Sequence, residues 1–253
     1  QITNLHGIFG IYQIDYFVGV VLTLFVMLAL INAYNLIDGI DGLASGLAIF
    51  AASVLGSWLL ISGHIQFAIM SFALMGSLSG FFMYNVFGKK NKLFMGDTGS
   101  LVIGLVLSTL VIKFNEFNIA TTAQHAVKAA PAVSFAIVIV PLIDTLRVIT
   151  IRLLQGKSPF YPDKNHTHHR LLSLVNGHLK VTSIMIAGNM AIVGTAMALN
   201  DVMSNVGLQF LLIFLLGVLL SFVPSVILRL KNAEKKTLGT VMRSYLNSDT
   251  IPE

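Results

Sequence analysis

YFVGVVLTLFVMLALINAYNLIDGIDG, residues 16–42, starts as an uncharged apolar run and ends in Asn32, Asn35, Asp38 and Asp41. About 20 apolar residues suffice to cross a bilayer as a helix, so the run reads as a transmembrane helix. The four polar residues recur every third position. On a continuing helix they would form a slowly drifting stripe on one face. Gly39 and Gly42 loosen that helix and let backbone approach a ligand. Ionisable groups at membrane depth mark functional sites by default. The plainer alternative is a polar helix cap.

The rest of the chain has the same character. Of 253 residues, 55% are hydrophobic and 11% are charged, against about 25% charged in an average soluble domain. Mean hydropathy is +0.83. Further candidate spans lie near Leu43–Ile61, Ile65–Tyr84, Ser100–Ile112, Pro131–Ile151, Val181–Leu199 and Leu208–Leu228. With Tyr16–Tyr34 they make about seven transmembrane helices, so the expected fold class is an all-α, polytopic integral membrane bundle. The first span is too long for a signal peptide and lacks a basic flank and a small-residue cleavage site. There is no cysteine, hence no disulfide framework and no thiolate metal site. Residues 1–230 form the expected transmembrane domain, and 231–253 a polar tail.

Charge orients the bundle. With seven spans, fourteen of the sixteen Lys and Arg fall on one side, and only Lys113 and Lys128 on the other. The rich side is expected to be cytoplasmic, with the N-terminus of this chain outside and the C-terminus inside. Basic residues that flank spans serve orientation, which argues against nucleic acid as a partner despite the net charge of +5. The polar motifs collect on the same side: the end of the first span, the loop GKKNKLFMGDTGS (88–100), and the loop RLLQGKSPFYPDKNHTHHR (152–170). An active-site cleft is therefore expected on the cytoplasmic face.

Each motif has a chemical reading and a plainer one. In FMGDTGS, Asp97 stands between glycines at a helix start, where backbone N–H groups favour anions. A carboxylate there suits a divalent cation bridging to phosphate. The plainer reading is a turn with an Asp cap. The Asp-Thr-Gly match to aspartic proteases needs a partner carboxylate in a β environment, and the sequence predicts no strands. HTHHR (166–170), with Arg152, Lys157 and Lys164 nearby, makes a cationic cluster suited to diphosphate. Zinc is the rival for clustered histidine, but His168 and His169 are expected to point to different sides. A solvated basic loop is the third option. Asp144 and Arg147, three apart, have an internal ion pair as their plainer reading. Phosphoryl transfer relies on positioning and charge neutralisation. A soluble phosphorylated donor and a lipid acceptor would meet at such a surface.

NAYNLIDGIDGLASG (32–46), KLFMGDTGSLVIG (92–104) and PLIDTLRVITIRLLQGKSPFYPDKNHTHHRLL (141–172), in this order, closely resemble the polyprenyl-phosphate N-acetylhexosamine-1-phosphate transferases. The resemblance implies a helical membrane enzyme of bacterial inner membranes, dependent on Mg²⁺ with Mn²⁺ as an alternative. It implies transfer of a sugar-1-phosphate from a UDP-sugar to undecaprenyl or another polyprenyl phosphate, with release of UMP, as a first membrane step of surface glycan synthesis (O-antigen or teichoic acid). Carried over by motif, Asp97 is the metal ligand, with Asp38 a second candidate. Asn35, Asp38, His168 and His169 are the other catalytic candidates. Asn32 supports the metal site, Gly39, Ile40 and Asp41 line the uridine pocket, His166 and Arg170 flank the phosphates, and Arg147 and Arg152 meet the sugar nucleotide. The form HTHH resembles the N-acetylglucosamine branch, so UDP-N-acetylglucosamine is the expected donor. A UDP-muramyl-pentapeptide donor is the alternative, as is a transporter or scaffold without chemistry. The resemblance leaves room for a homodimer. The family's upstream Asp-Asp motif has no counterpart here. The chain is accordingly expected to lack N-terminal helices of the family and to need upstream residues for turnover.

Overall fold

The computed structural model describes residues 1–120, 125–158 and 166–248, and of residues 234–248 the backbone alone. Asp163 and Lys164 of the basic loop, and Asp249 and Glu253 of the tail, lie outside the described residues, as do the side chains of Glu234, Lys235, Lys236 and Arg243.

A short antiparallel hairpin, β1 (Asn4–Ile8) and β2 (Ile11–Gln13), opens the chain. Helices follow: α1 (Tyr16–Ile37), α2 (Leu43–Ile61), α3 (Ile65–Phe87), α4 (Gly96–Ala120), α5 (Ala130–Ile137), α6 (Ile139–Leu154), α7 (Thr167–Leu174), α8 (His178–Val202) and α9 (Val206–Ser248). Six of these are long and apolar enough to cross a membrane, and the bent pair α5–α6 makes a seventh span. The protein is thus a polytopic membrane bundle. Its outward faces agree: Phe17, Leu24, Phe25 and Leu28 on α1 are exposed, which hydrocarbon tolerates and water does not.

Four details differ from the sequence expectation. The hairpin adds strands to an otherwise helical chain. It is held to the far end of α4, where Thr3 donates from N and Oγ1 to the Glu116 carboxylate at 2.8 and 2.7 Å. The fourth span is longer than Ser100–Ile112, because α4 starts at Gly96 and runs to Ala120. Asp97 and Glu116 are therefore about 28 Å apart along α4 at 1.5 Å per residue, close to the ~30 Å hydrocarbon core. The fifth span breaks by 77° between α5 and α6. Pro141 has no N–H for the Ile137 carbonyl and its ring crowds it. Finally, the last helix crosses the proposed 230/231 boundary without a break and continues to Ser248.

Small residues set the helix contacts. Ala48, Ala52 and Gly56 lie one turn apart on α2, and Ser71 of α3 donates to the Ala52 carbonyl at 2.7 Å. Such stripes let membrane helices approach closely. Gly104 does the same between α4 and α1: a Cβ there would stand 2.5 Å from Ile31 Cα. One turn further on, Asn35 of α1 donates to Ser100 Oγ of α4 at 3.0 Å. The glycine contact thereby sets the register that brings Asn35 to the start of α4.

Candidate functional site

Polar groups from α1, α4, α6, α7 and α8 converge at one end of the bundle. Asn35, on the last turn of α1, reaches Asp97 Oδ1 at 3.4 Å as well as Ser100. Ser100 Oγ donates back to the Asp97 carbonyl at 3.0 Å, which ties the first turn of α4. Asp97 itself is exposed. Asp38 caps α1. Burial, and then the neighbouring carboxylates of Asp41 and Asp97, push its carboxyl up to about 6. The charges of Asp41 and Asp97 thus act on Asp38, a repulsion that a cation would relieve.

The α1–α2 turn is held from three sides. Gly42 has φ +76°, and a Cβ there would strike Val86 Cγ2 at 2.6 Å. Its N–H donates to Asn85 Oδ1 at 2.6 Å, while Asn85 Nδ2 donates to the Leu93 carbonyl at 2.8 Å. Asp41 accepts from Lys92 Nζ and pairs with His178 Nδ1, each at 2.7 Å. Thr182 Oγ1 donates to the Asp41 carbonyl at 3.0 Å. Burial raises the Asp41 carboxyl, but the hydrogen bonds from Lys92 and His178 outweigh it and hold the group below its ordinary value. This contact is therefore complete above the unfolded value of ~3.9 and is lost as pH falls through the lower folded value. In Lys92→Met, the Asp41 carboxyl is expected to titrate nearer the ordinary range, read from its side-chain ¹³C shift. An unmoved titration would show that Lys92 does not hold the carboxylate.

The third group is histidine. Asp144, on α6, takes His166 Nδ1 and His168 Nδ1 on Oδ2, both at 3.0 Å, and the Thr167 N–H on Oδ1 at 2.6 Å. His168 is fully buried, and Asp144 is 3% exposed. A Cβ on Gly39 would lie 3.1 Å from His168 Nε2 and 3.6 Å from His169 Nε2. Both rings therefore face the α1–α2 turn. They were expected to diverge, but α7 begins at Thr167, so they share its first turn, with ring centroids 4.5 Å apart.

Of the residues singled out in the sequence, Asn35, Asp38, Gly39, Asp97, His168 and His169 come together around this turn. Asn32 donates to the Leu28 carbonyl of its own helix at 2.8 Å. Ile40 packs in the core. Arg147 and Arg152 are buried; Arg147 donates to Ser225 of α9 at 3.0 Å and lies over Phe222. His166 is buried, and Arg170 is half-buried. Asp144 binds the histidines, whereas the sequence suggested pairing with Arg147. Lys92, Ser100 and His178 were not singled out. Ser100 had a signal, since it stands three residues after Asp97 on a helix. Lys92 and His178 had none, being 51 and 137 residues from Asp41.

Asp144, His166 and His168 also offer ligand atoms within 4.8 Å of one another. Zn–N bonds of 2.0–2.1 Å place tetrahedral ligands roughly 3.3 Å apart. The 3.0 Å contacts converging on one oxygen are instead those of hydrogen bonds.

Residues 1–115 match the family described as glycosyl transferase family 4. The chain is 35% identical over 156 residues to the undecaprenyl-phosphate alpha-N-acetylglucosaminyl 1-phosphate transferase of Escherichia coli (strain K12), covering 61% of this chain and 41% of that protein. The Yersinia pestis protein of the same name matches to the same extent. The decaprenyl-phosphate N-acetylglucosaminephosphotransferase of Mycobacterium leprae (strain TN) is 33% identical over 188 residues, 70% of this chain and 47% of that protein. The chain spans less than half the length of these curated relatives. The matched residues 1–115 include Asn35, Asp38 and Asp97, around which the site is built, and over this segment the chain is similar to glycosyl transferase family 4.

Proposed function

We propose that this chain carries the nucleotide- and metal-binding part of a transferase that moves N-acetylglucosamine-1-phosphate from UDP-N-acetylglucosamine to a polyprenyl phosphate, releasing UMP. The observation that carries the reading is the meeting of Asp38 and Asp97 with His168 and His169 around one turn. Acidic groups suited to a cation face imidazoles suited to phosphate. The names of the relatives support N-acetylglucosamine 1-phosphate as the transferred group and a polyprenyl phosphate as the acceptor. A transporter would hold its polar groups near the bilayer midplane, whereas these gather at one end of the spans.

The carboxylates of Asp38 and Asp97 suit a hard cation such as Mg²⁺, with Mn²⁺ as the alternative. Asp97 would hold it, and Asp38 stands beside it. A cation held there would supply charge neutralisation at the diphosphate. The chain's own groups do the rest. Asn35 steadies the Asp97 carboxylate, and Ser100 ties the Asp97 backbone carbonyl. Gly39 leaves room beside the two histidines, whose protonated rings can donate Nε2–H to phosphate oxygens. The lone pair of the acceptor's phosphate oxygen forms the new bond to the sugar-bearing phosphorus, and the bond to the UMP oxygen breaks. The excess of Lys and Arg at this end supports a cytoplasmic site.

The test is UMP release from UDP-N-acetylglucosamine with undecaprenyl phosphate and Mg²⁺, against UDP-muramyl-pentapeptide as donor. It is run on this chain and on the product of the complete gene that encodes it. Release with the first donor supports the proposal. Release with the second alone moves the assignment to the other branch. Silence from a folded complete product with both rejects it.

A further inference from the structure

Asp144 is a buried carboxylate to which the proposed chemistry gives no role. We propose that Asp144 is a positioning residue that accepts Nδ1–H from His166 and His168 and thereby aims Nε2 of His168 at the substrate's phosphates, to which the protonated ring donates its Nε2–H. This rests on the phosphate-binding reading of His168 given above.

The geometry leaves the two rings little choice. Both Nδ1 atoms lie 3.0 Å from the same Asp144 oxygen, and an ionised carboxylate only accepts. Each Nδ1 must carry its hydrogen, so the nitrogen left for other work is Nε2 in both rings. The second oxygen takes the Thr167 N–H, which pins the first turn of α7 in the same grip. That helix has only eight residues and is too short to hold its rings by itself. Asp144 belongs instead to α6, packed in the bundle, beside an apolar cavity of about 330 Å³ that Thr167 also lines. Little competing water reaches such a carboxylate, which strengthens its hold.

The aim of His168 is the second observation. Its ring is fully buried, and Nε2 has no hydrogen-bond partner among the described residues. The same atom lies 3.1 Å from where a Gly39 side chain would begin, in the turn that carries Asp38. A buried polar atom without a partner is costly, and here it points toward the place where the diphosphate is proposed to lie. Orienting partners of this kind hold a ring's tautomer and direction, and losing one commonly lowers activity 10–100-fold.

The experiment uses the full chain, and the complete gene product, in lipid nanodiscs with ¹⁵N-labelled histidine. In the wild type, His166 and His168 should both show the Nδ1–H pattern. An Nε2–H neutral tautomer at either ring, or a metal-bound Nδ1, overturns the proposal without any mutant. In Asp144→Asn the His168 tautomer should become mixed. UMP release should fall roughly 10–100-fold in kcat, with KM changed less than about threefold, and Asp144→Glu should recover part of it. His168→Gln should lose a similar factor, and the double variant no more than the worse single one. Losses that multiply would mean that Asp144 acts through something other than His168. The tautomer spectra need no turnover. A wild type with both rings Nδ1–H but no UMP release therefore rejects the transferase reading while retaining the role of Asp144 toward its rings.

Discussion

Asp97→Asn is expected to lower Mg²⁺-dependent UMP release by roughly 10³-fold or more, the scale of losing a principal electrostatic element of a site. The substitution keeps the side chain's size but removes the charge on which a hard cation depends. Asp97 is exposed at the start of α4, so the fold should be little affected, within ~0.5 kcal/mol. The same change removes one of the two carboxylates that, after burial, push the Asp38 carboxyl up to about 6. Asp38 should then titrate lower. Two measurements separate these effects: Mn²⁺ binding without substrate, which should weaken, and Tm, which should hold. Wild-type Mn²⁺ affinity in Asp97→Asn would refute the ligand role whatever the activity does.

Gly104→Val should damage both stability and activity from one turn away. A Cβ at this position would stand 2.5 Å from Ile31 Cα and 3.0 Å from the Leu30 carbonyl oxygen. Backbone atoms cannot swing aside as a side-chain tip can, so α1 and α4 must separate. Overpacking of this kind costs about 1–3 kcal/mol or more. The displacement carries Asn35 away from Ser100 and Asp97, whose contacts are already 3.0 and 3.4 Å. A misplacement near 1 Å can lower a rate roughly 10²-fold. The expected result is a lowered Tm together with a loss of UMP release in the fraction that remains folded. Gly104→Ala should show the same effects more weakly. A Gly104→Val protein with the wild-type Tm would mean that the helices do not meet at this point.

The spans were legible in the residues because lipid enforces a one-dimensional rule. A stretch that must satisfy its backbone inside hydrocarbon has to be an apolar helix of a certain length. Leu43–Ile61 was read to the residue, and the other spans with errors at their ends. Those errors have local causes. Asp97 and its glycines look like a loop by composition, yet they form the first turn of α4. Pro141 lies inside an unbroken apolar run, so hydropathy alone missed the bend that its ring imposes. The hairpin is held by Glu116, more than a hundred residues away, and local propensity carries no trace of that contact.

For the candidate site, the sequence by itself determined which groups are there and at which end of the spans they collect. Asn35, Asp38, Asp97, His168 and His169 stand out because polar and ionisable side chains are costly near hydrocarbon and seldom occur there without a purpose. Tertiary structure alone decided their partners. Asp41 is ion-paired to Lys92 and hydrogen-bonded to His178, and Asp144 holds two histidines rather than its neighbour on the helix face. Gly39 is small because two imidazoles face it. Hydrophobicity and helical period act along the chain and can be read from it. Hydrogen bonds and ion pairs act over about 3 Å, between residues that only the packing of α1 against α4, and of α7 on α8 and α9, brings together.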